Sequence, residues 1–328
     1  MSKLVTIYGG SGFVGRYVAR RMAKEGWRVR VAVRRPNEAI FVRTYGVVGQ
    51  VEPVLCNIRD DASVATVMRG ADAVVNCVGV LAENGRNTFD AVQSTGPERI
   101  ARIAAETGIG RMVHISAIGA DMQSDSDYAR TKAEGEAGVL KHQPDAVILR
   151  PSIVFGPEDA FFNRFANMAR FGPVLPVVGA KTMFQPVYVD DVARAAVEGV
   201  LGNVGGGVYE LGGPQKMAFR DLMKMMLQVI RRRRAVMNIP FFVASAMAFV
   251  FDMVQTMTGG IVRNGMITRD QVKNLRNDNV VAQNATGFEA FGIEPTEMIL
   301  VLPEYLWRFR PSGQYDAIKE SARNLRSS

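Results

Sequence analysis

Leu4-Val5-Thr6-Ile7-Tyr8, followed at once by Gly9-Gly10-Ser11-Gly12-Phe13-Val14-Gly15, is the stretch that decides the fold. A β-branched run enters a glycine loop, and a helical pattern opens directly behind it. Gly9, Gly12 and Gly15 form a GxxGxxG set in which each glycine has a mechanical reason. The first permits the tight turn, the second lets backbone approach a pyrophosphate, and the third lets the helix pack on the sheet. Ser11, Phe13 and Val14 fill the same turn. A diphosphate there would sit at the helix N-terminus, where unpaired N–H groups and the helix dipole favour negative charge. Glycines alone mark many ordinary turns; the order strand, loop, helix makes this one a dinucleotide site.

Working outward, the pattern repeats. Strands are predicted at Leu4–Tyr8, Arg28–Val33, Val51–Leu55, Ala73–Val78, Arg111–Ile115, Ala146–Leu149 and Gly207–Leu211. Helices are predicted between them at Gly12–Lys24, Ser63–Met68, Pro97–Glu106 and Tyr128–Leu140. Such alternation predicts an α/β fold, a doubly wound parallel sheet of the Rossmann type, with a smaller, mostly helical C-terminal region. After Gly212-Gly213-Pro214 the composition shifts, so the expected division is a nucleotide-binding unit over 1–215 and a docking region over 216–328. Methionines crowd Met217–Ile230, and those up to Met226 are expected to fill core or to offer an adaptable docking face.

The second strand ends Ala32-Val33-Arg34-Arg35-Pro36, where an NAD site would carry a ribose-binding acid. No acid is present. Arg34 and Arg35 would present guanidinium groups to a 2′-phosphate, so NADPH is expected over NADH.

Composition excludes other classes. With 48% hydrophobic and 22% charged residues, the 328-residue chain can bury a full core and is not a disordered one. The two cysteines, Cys56 and Cys77, cannot build a disulfide framework, and two histidines are too few for a His-rich metal site; no metal is expected. The net charge of +8 favours anionic partners. No run reaches the roughly 20 apolar residues a membrane span needs. The strand pattern beginning at Lys3 leaves no room for a targeting segment, which is therefore not expected.

Many ordered matches resemble the short-chain dehydrogenase/reductase superfamily, in its extended and atypical branches. They are the glycine loop, Asn57-Ile58 after the third strand, Cys77-Val78-Gly79 after the fourth, Val113-His114-Ile115-Ser116, Tyr128-Ala129-Arg130-Thr131-Lys132, and Leu149-Arg150-Pro151-Ser152-Ile153. The resemblance implies that these segments, including Ser116, Pro151 and Ile153, line the cofactor. Tyr128 and Lys132, four apart, share one helix face. An ammonium beside the phenol would lower its pKa and make it a usable acid/base. The family also places a hydroxyl near Ser116 to bind the substrate oxygen. Here Ser116 stands one residue early, with Ala117 at the usual place, so the family positions Tyr128, Lys132 and Ser116 are expected to hold cofactor without turnover.

Phe155-Gly156-Pro157-Glu158-Asp159, Phe162-Asn163-Arg164-Phe165-Ala166 and Ile267-Thr268-Arg269-Asp270-Gln271-Val272 resemble a narrower family, the nucleotide-binding accessory subunits of respiratory complex I. That resemblance implies tightly bound NADPH, a structural role, other complex I subunits as partners, and a peripheral position near the membrane junction. Without a targeting segment, the expected location is the cytoplasmic face of a bacterial inner membrane. Arg231–Arg234 beside the apolar run ending at Phe251 adds a possible contact with anionic lipid headgroups, against a buried helix with a solvated basic end. No aromatic interleaving supports nucleic-acid binding. The competing expectation is a soluble NADP-dependent reductase or epimerase-like enzyme using Tyr128 and Lys132.

Overall fold

The computed structural model describes residues 2–257, 268–311 and 313–315. Ile267 of the motif above lies outside them, as does the side chain of Phe251. Seven strands form one sheet: β1 (Leu4–Tyr8), β2 (Arg28–Val33), β3 (Val51–Leu55), β4 (Ala73–Asn76), β5 (Met112–Ile115), β6 (Val147–Pro151) and β7 (Gly207–Leu211). Their order is β7-β6-β5-β4-β1-β2-β3, and every neighbouring pair is parallel. All seven strands read from sequence are therefore present, with ends shifted by at most two residues. Both faces are covered, so the central strands β1, β4 and β5 are buried along nearly their whole length, whereas β2, β3 and β7 toward the edges alternate in burial.

Helices α1 (Phe13–Lys24) and α6 (Val189–Leu201) cover one face. Val18, Met22, Val192 and Ala196 join Val5, Ile7 and Val31 in the first core there. On the other face lie α2 (Asp61–Met68), α3 (Thr95–Glu106) and α4 (Asp127–His142), which share a core with Tyr8, Val74 and Met112. The start of α4 is fixed by its N-cap: the Ser126 hydroxyl accepts from the Ala129 N–H at 3.3 Å.

A second lobe packs beyond the C-terminal ends of the strands. Its core joins Phe155, Phe162 and Leu175 to Leu222, Met223, Met226 and Leu302, so residues on both sides of position 215 share it. These come from α5 (Phe162–Met168), α7 (Phe219–Val229) and α10 (Met298–Leu306). Met223 and Met226 are fully buried, and Met217 and Met225 pack against the same core. The methionines of this stretch are thus core filler and not a docking face.

The segment after α7 departs from the expectation of one basic-apolar stretch. Ala235–Ile239 is a strand paired in parallel with Val174–Val178, and Pro240 separates it from α8 (Phe241–Met257). Proline cannot donate to a ladder but is tolerated at a helix start, so the break falls there. No helix among the described residues is long and apolar enough to cross a membrane. α9 (Arg269–Asn274) follows, opened by a capping box between Thr268 and Gln271.

Candidate functional site

The strand order reverses between β1 and β4, which opens a crevice beyond their C-terminal ends. The glycine loop lies in it. Gly9 has φ +74°, and a Cβ there would stand 3.1 Å from the Cys77 carbonyl carbon and the Val78 nitrogen. A Cβ on Gly15 would stand only 2.4 Å from the Gly9 oxygen, so α1 rests directly on the loop backbone. Gly12 is the N-cap of α1 and brings no side chain to the first-turn N–H groups. This cradle is lined by backbone that any side chain would fill, and its N–H groups suit a pyrophosphate. Ser11, Phe13 and Val14 sit within it, and Phe13 packs beneath Gly156. A dinucleotide fits these residues.

At the ends of β2 and β3 stand the residues read for the adenosine side. Arg34 and Arg35 are both exposed. Arg35 pairs with Glu38 at 2.9 Å, whereas Arg34 makes no ion pair or hydrogen bond among the described residues. Asn57 is exposed, its Oδ1 accepting from the Arg59 N–H at 3.2 Å, and the Ile58 carbonyl accepts from Arg99 at 3.0 Å. The structure leaves Arg34 as the less engaged of the two cations.

The other end of the crevice holds the family positions. Lys132 is buried beside Gly79, and its Nζ donates to the Ile115 carbonyl at 3.2 Å. Burial pushes its pKa down to about 8, against the pull of Glu136 and Cys77. Tyr128 stacks edge-on with Phe89 at 5.9 Å, and its hydroxyl makes no hydrogen bond among the described residues. Its pKa is pushed up to about 12 by burial and by the charge of Asp270. The expected lowering by Lys132 is therefore reversed. Burial and a nearby carboxylate outweigh an ammonium that is itself hard to charge.

Ser116 is buried and engaged within the fold. Its hydroxyl donates to Glu136 Oε1, a buried carboxylate that also accepts from Arg150 Nε at 2.9 Å. With Ala117 next in the chain, the hydroxyl that should stabilise developing charge on a substrate is committed elsewhere. Pro151 and Ile153 are held at the end of β6, the Pro151 carbonyl accepting from the Ile118 N–H at 3.0 Å.

Several side chains here were not read from the sequence. Asp270 accepts from the Ser126 hydroxyl at 2.9 Å and from the N–H groups of Asp127 and Tyr128 at 2.8 and 3.2 Å, which caps α4 from the second lobe. Asn279 Oδ1 accepts from the Ser152 hydroxyl at 2.7 Å and the Ile153 N–H at 3.1 Å, while its Nδ2 donates to the Ile118 carbonyl at 3.3 Å. Beneath the site, Asn76 Nδ2 lies 3.1 Å from His114 Nδ1, and Asn76 Oδ1 accepts from the Val78 N–H. His114 is fully buried, and burial with the nearby Lys132 charge holds its pKa down at about 3. Sequence distance hides the first two; the third was visible only as an isolated histidine. Among the described residues no cluster of His, Cys, Asp or Glu is arranged to hold a metal.

Comparison with known proteins agrees with this geometry. The profile of the NAD dependent epimerase/dehydratase family matches residues 5–212. NADH dehydrogenase [ubiquinone] 1 alpha subcomplex subunit 9, mitochondrial, of Arabidopsis thaliana is 33% identical over 316 residues, covering 94% of this chain and 79% of that protein. The mitochondrial NADH-ubiquinone oxidoreductase 40 kDa subunit of Neurospora crassa is 28% identical, over 95% of this chain and 80% of its own length. Among solved structures, the UDP-glucose 4-epimerase of Thermotoga maritima with UDP-glucose superposes with a TM-score of 0.69 at 16% identity, covering 93% of this chain and 98% of that one. At that identity the likeness concerns the fold alone.

Proposed function

The chain belongs to the NAD dependent epimerase/dehydratase family, and we propose that within it the protein is a nucleotide-holding accessory subunit of NADH:ubiquinone oxidoreductase and not an enzyme by itself. One observation carries this reading. The pyrophosphate cradle is complete, while the Ser116 hydroxyl is bound to Glu136 and Tyr128 is held protonated under Phe89 and Asp270. Such a site retains a dinucleotide but lacks the poised acid/base and the substrate hydroxyl that turnover needs. The nucleotide is NADPH, with Arg34 as the main ligand of the 2′-phosphate and Arg35 assisting.

The partners are other subunits of that complex, and the location is peripheral, at the cytoplasmic face of a bacterial inner membrane. Residues 216–328 supply the docking region. α8 supports this: Ala244 and Ala248 face Val178 and Val272, while Phe242, Phe249 and Val250 are exposed on the opposite side. Arg231–Arg234 would meet anionic headgroups beside it.

The second reading, a soluble NADP-dependent reductase or epimerase-like enzyme, draws on Lys132, which stands in its family position with a pKa near working pH. Affinity purification from native membranes separates the two. The accessory-subunit reading expects large respiratory subunits and stoichiometric NADPH in the eluate. Recovery of a monomer that turns over an added carbonyl substrate with NADPH would overturn it.

A further inference from the structure

The turn that follows α7 is shaped by more than helix termination. The Arg231 N–H donates to the Gln228 carbonyl and the Arg232 N–H to the Leu227 carbonyl, the bond pattern that ordinarily places glycine in the left-handed position. Here that position is Arg231, with φ +53°, the one non-glycine residue of positive φ among the described residues. A side chain there is strained, because its Cβ crowds the carbonyl oxygen. The strain is accepted at a point where glycine would relieve it, which directs attention to the guanidinium.

Around this turn lies an open groove of about 780 Å³, lined by Lys224, Leu227, Gln228 and Arg231–Ala235. Among the described residues no carboxylate lines it, and Lys224 Nζ pairs with Asp221 at 3.0 Å outside the lining. Two of its cations are fixed by backbone: Arg232 Nε donates to the Phe309 carbonyl at 2.8 Å, and Arg234 Nε to the Ala169 carbonyl at 2.9 Å. The Arg232 guanidinium is more acidic than usual because of its burial and the charges of Arg234 and Arg170. Capping one helix end does not require so many cations. The strand that leaves the groove at Ala235, and the segment leading into its partner strand, carry exposed apolar groups. Phe171 and Met237 are 71% and 53% exposed, on the segments that flank and form the strand pair leading away from it. Cationic concavity and apolar margin together match an amphiphile; an acidic peptide would use only the first.

We propose that this groove is a saturable site for the phosphate of one anionic phospholipid, with the acyl chains directed toward Phe171 and Met237. The proposal rests on the membrane-proximal reading above and deepens it, because it claims a built site where that reading needs only general attraction.

The test titrates the full chain by calorimetry with dihexanoyl phosphatidic acid below its micelle concentration. Dihexanoyl phosphatidylcholine and inorganic phosphate serve as comparators. Arg231→Gly with Arg233→Ser removes two charges without touching the backbone-bonded arginines, and the glycine suits the left-handed turn, so the fold is retained. Arg20→Ser with Arg28→Ser removes equal charge elsewhere on the surface. One phosphatidic acid per chain is expected, weakened at least about tenfold by the groove pair and less than about twofold by the control pair. Equal losses from both pairs would mean diffuse attraction and overturn the site. Inorganic phosphate or phosphatidylcholine binding as tightly as phosphatidic acid would also overturn it. Pelleting with anionic vesicles reads the parent proposal separately. Pelleting without saturable phosphatidic acid binding sinks the groove alone, and saturable binding without pelleting sinks the membrane-proximal reading.

Discussion

Two helices of this molecule have opposite outer faces. α1 buries Gly15, Val18, Ala19, Met22 and Ala23 and turns Arg16, Arg20 and Lys24 outward. α8 buries Ala244 and Ala248, yet its opposite face is again apolar, with Phe242 76% exposed and Phe249 51%. Among the described residues, the cations of Arg269 and Arg276, over the rings of Phe249 and Phe241, polarise its margin. The first helix is completed by its own chain. The second leaves phenyl rings exposed among the described residues, which fits the docking role proposed for it. On that proposal one region of the protein holds a ligand within the fold, and the other reaches out of it.

The sharpest way to break the first half of that contrast is Gly15→Ala. Its Cβ would meet the Gly9 oxygen and the Gly10 Cα, both backbone atoms, so α1 must move off the loop. A loss of about 3 kcal/mol or more is expected in denaturant unfolding, with NADPH binding abolished. Unchanged stability would mean that the loop adjusts and that the cradle is not rigid.

Next in size is a pH effect beneath the site. His114 titrates near 3 when folded and near 6.5 when unfolded, so the unfolded chain binds more protons between those values. Stability attributable to this residue is intact above pH 6.5 and declines as pH falls toward 3. Between pH 6.5 and 4.5 the loss should be about 2–3 kcal/mol. His114→Gln should flatten that part of the curve in unfolding measured across pH, and identical slopes would remove the buried neutral histidine from the account.

The outward-facing region is tested by Phe242→Ser with Phe249→Ser. Membrane association should fall at least about tenfold in flotation, since each exposed phenyl that becomes buried contributes about 1.5–3 kcal/mol. The melting temperature and nucleotide content should stay as in the wild type. A fall in melting temperature would place these rings in the fold and not at an interface.

A smaller and more selective effect belongs to the arginines of the crevice. Arg34→Ala should weaken NADPH relative to NADH by about tenfold, and Arg35→Ala by less, because Arg35 is already paired with Glu38. Equal effects in a binding titration would show that the Glu38 pair opens without cost. Smallest of all is Tyr128→Phe. With a hydroxyl that bonds nothing among the described residues, its removal should leave nucleotide binding and complex I activity within about twofold. A large loss in assembled, nucleotide-bearing protein would restore the enzyme reading.

The dinucleotide half was legible in the chain because its determinants are local. Strand, glycine loop and helix are contiguous from Leu4 to Lys24, and each remaining strand of the seven-stranded sheet announced itself as a short run between turn residues, whereas Val174–Val178 and Ala235–Ile239 did not. Gly9, Gly12 and Gly15 declare their own purpose, since only backbone geometry demands glycine at those spacings. The missing acid after Val33 was equally visible, and so was the misplacement of Ser116 relative to Ala117.

What tertiary structure alone decided lies in contacts that cross the sequence. Asp270 caps α4 from 142 residues away from Tyr128, and burial, with the charge of Asp270 second, raises the phenol's pKa where the YxxxK spacing suggested the opposite. Glu136 accepts the Ser116 hydroxyl's hydrogen bond, which no local pattern foretells. Arg231–Phe251 read as one basic and apolar segment, but pairing of Ala235–Ile239 with Val174–Val178 drew part of it into a sheet and left α8 to form beyond Pro240. Hydropathy along a chain records how apolar a residue is; which side of it meets core and which meets solvent is fixed only when distant segments pack.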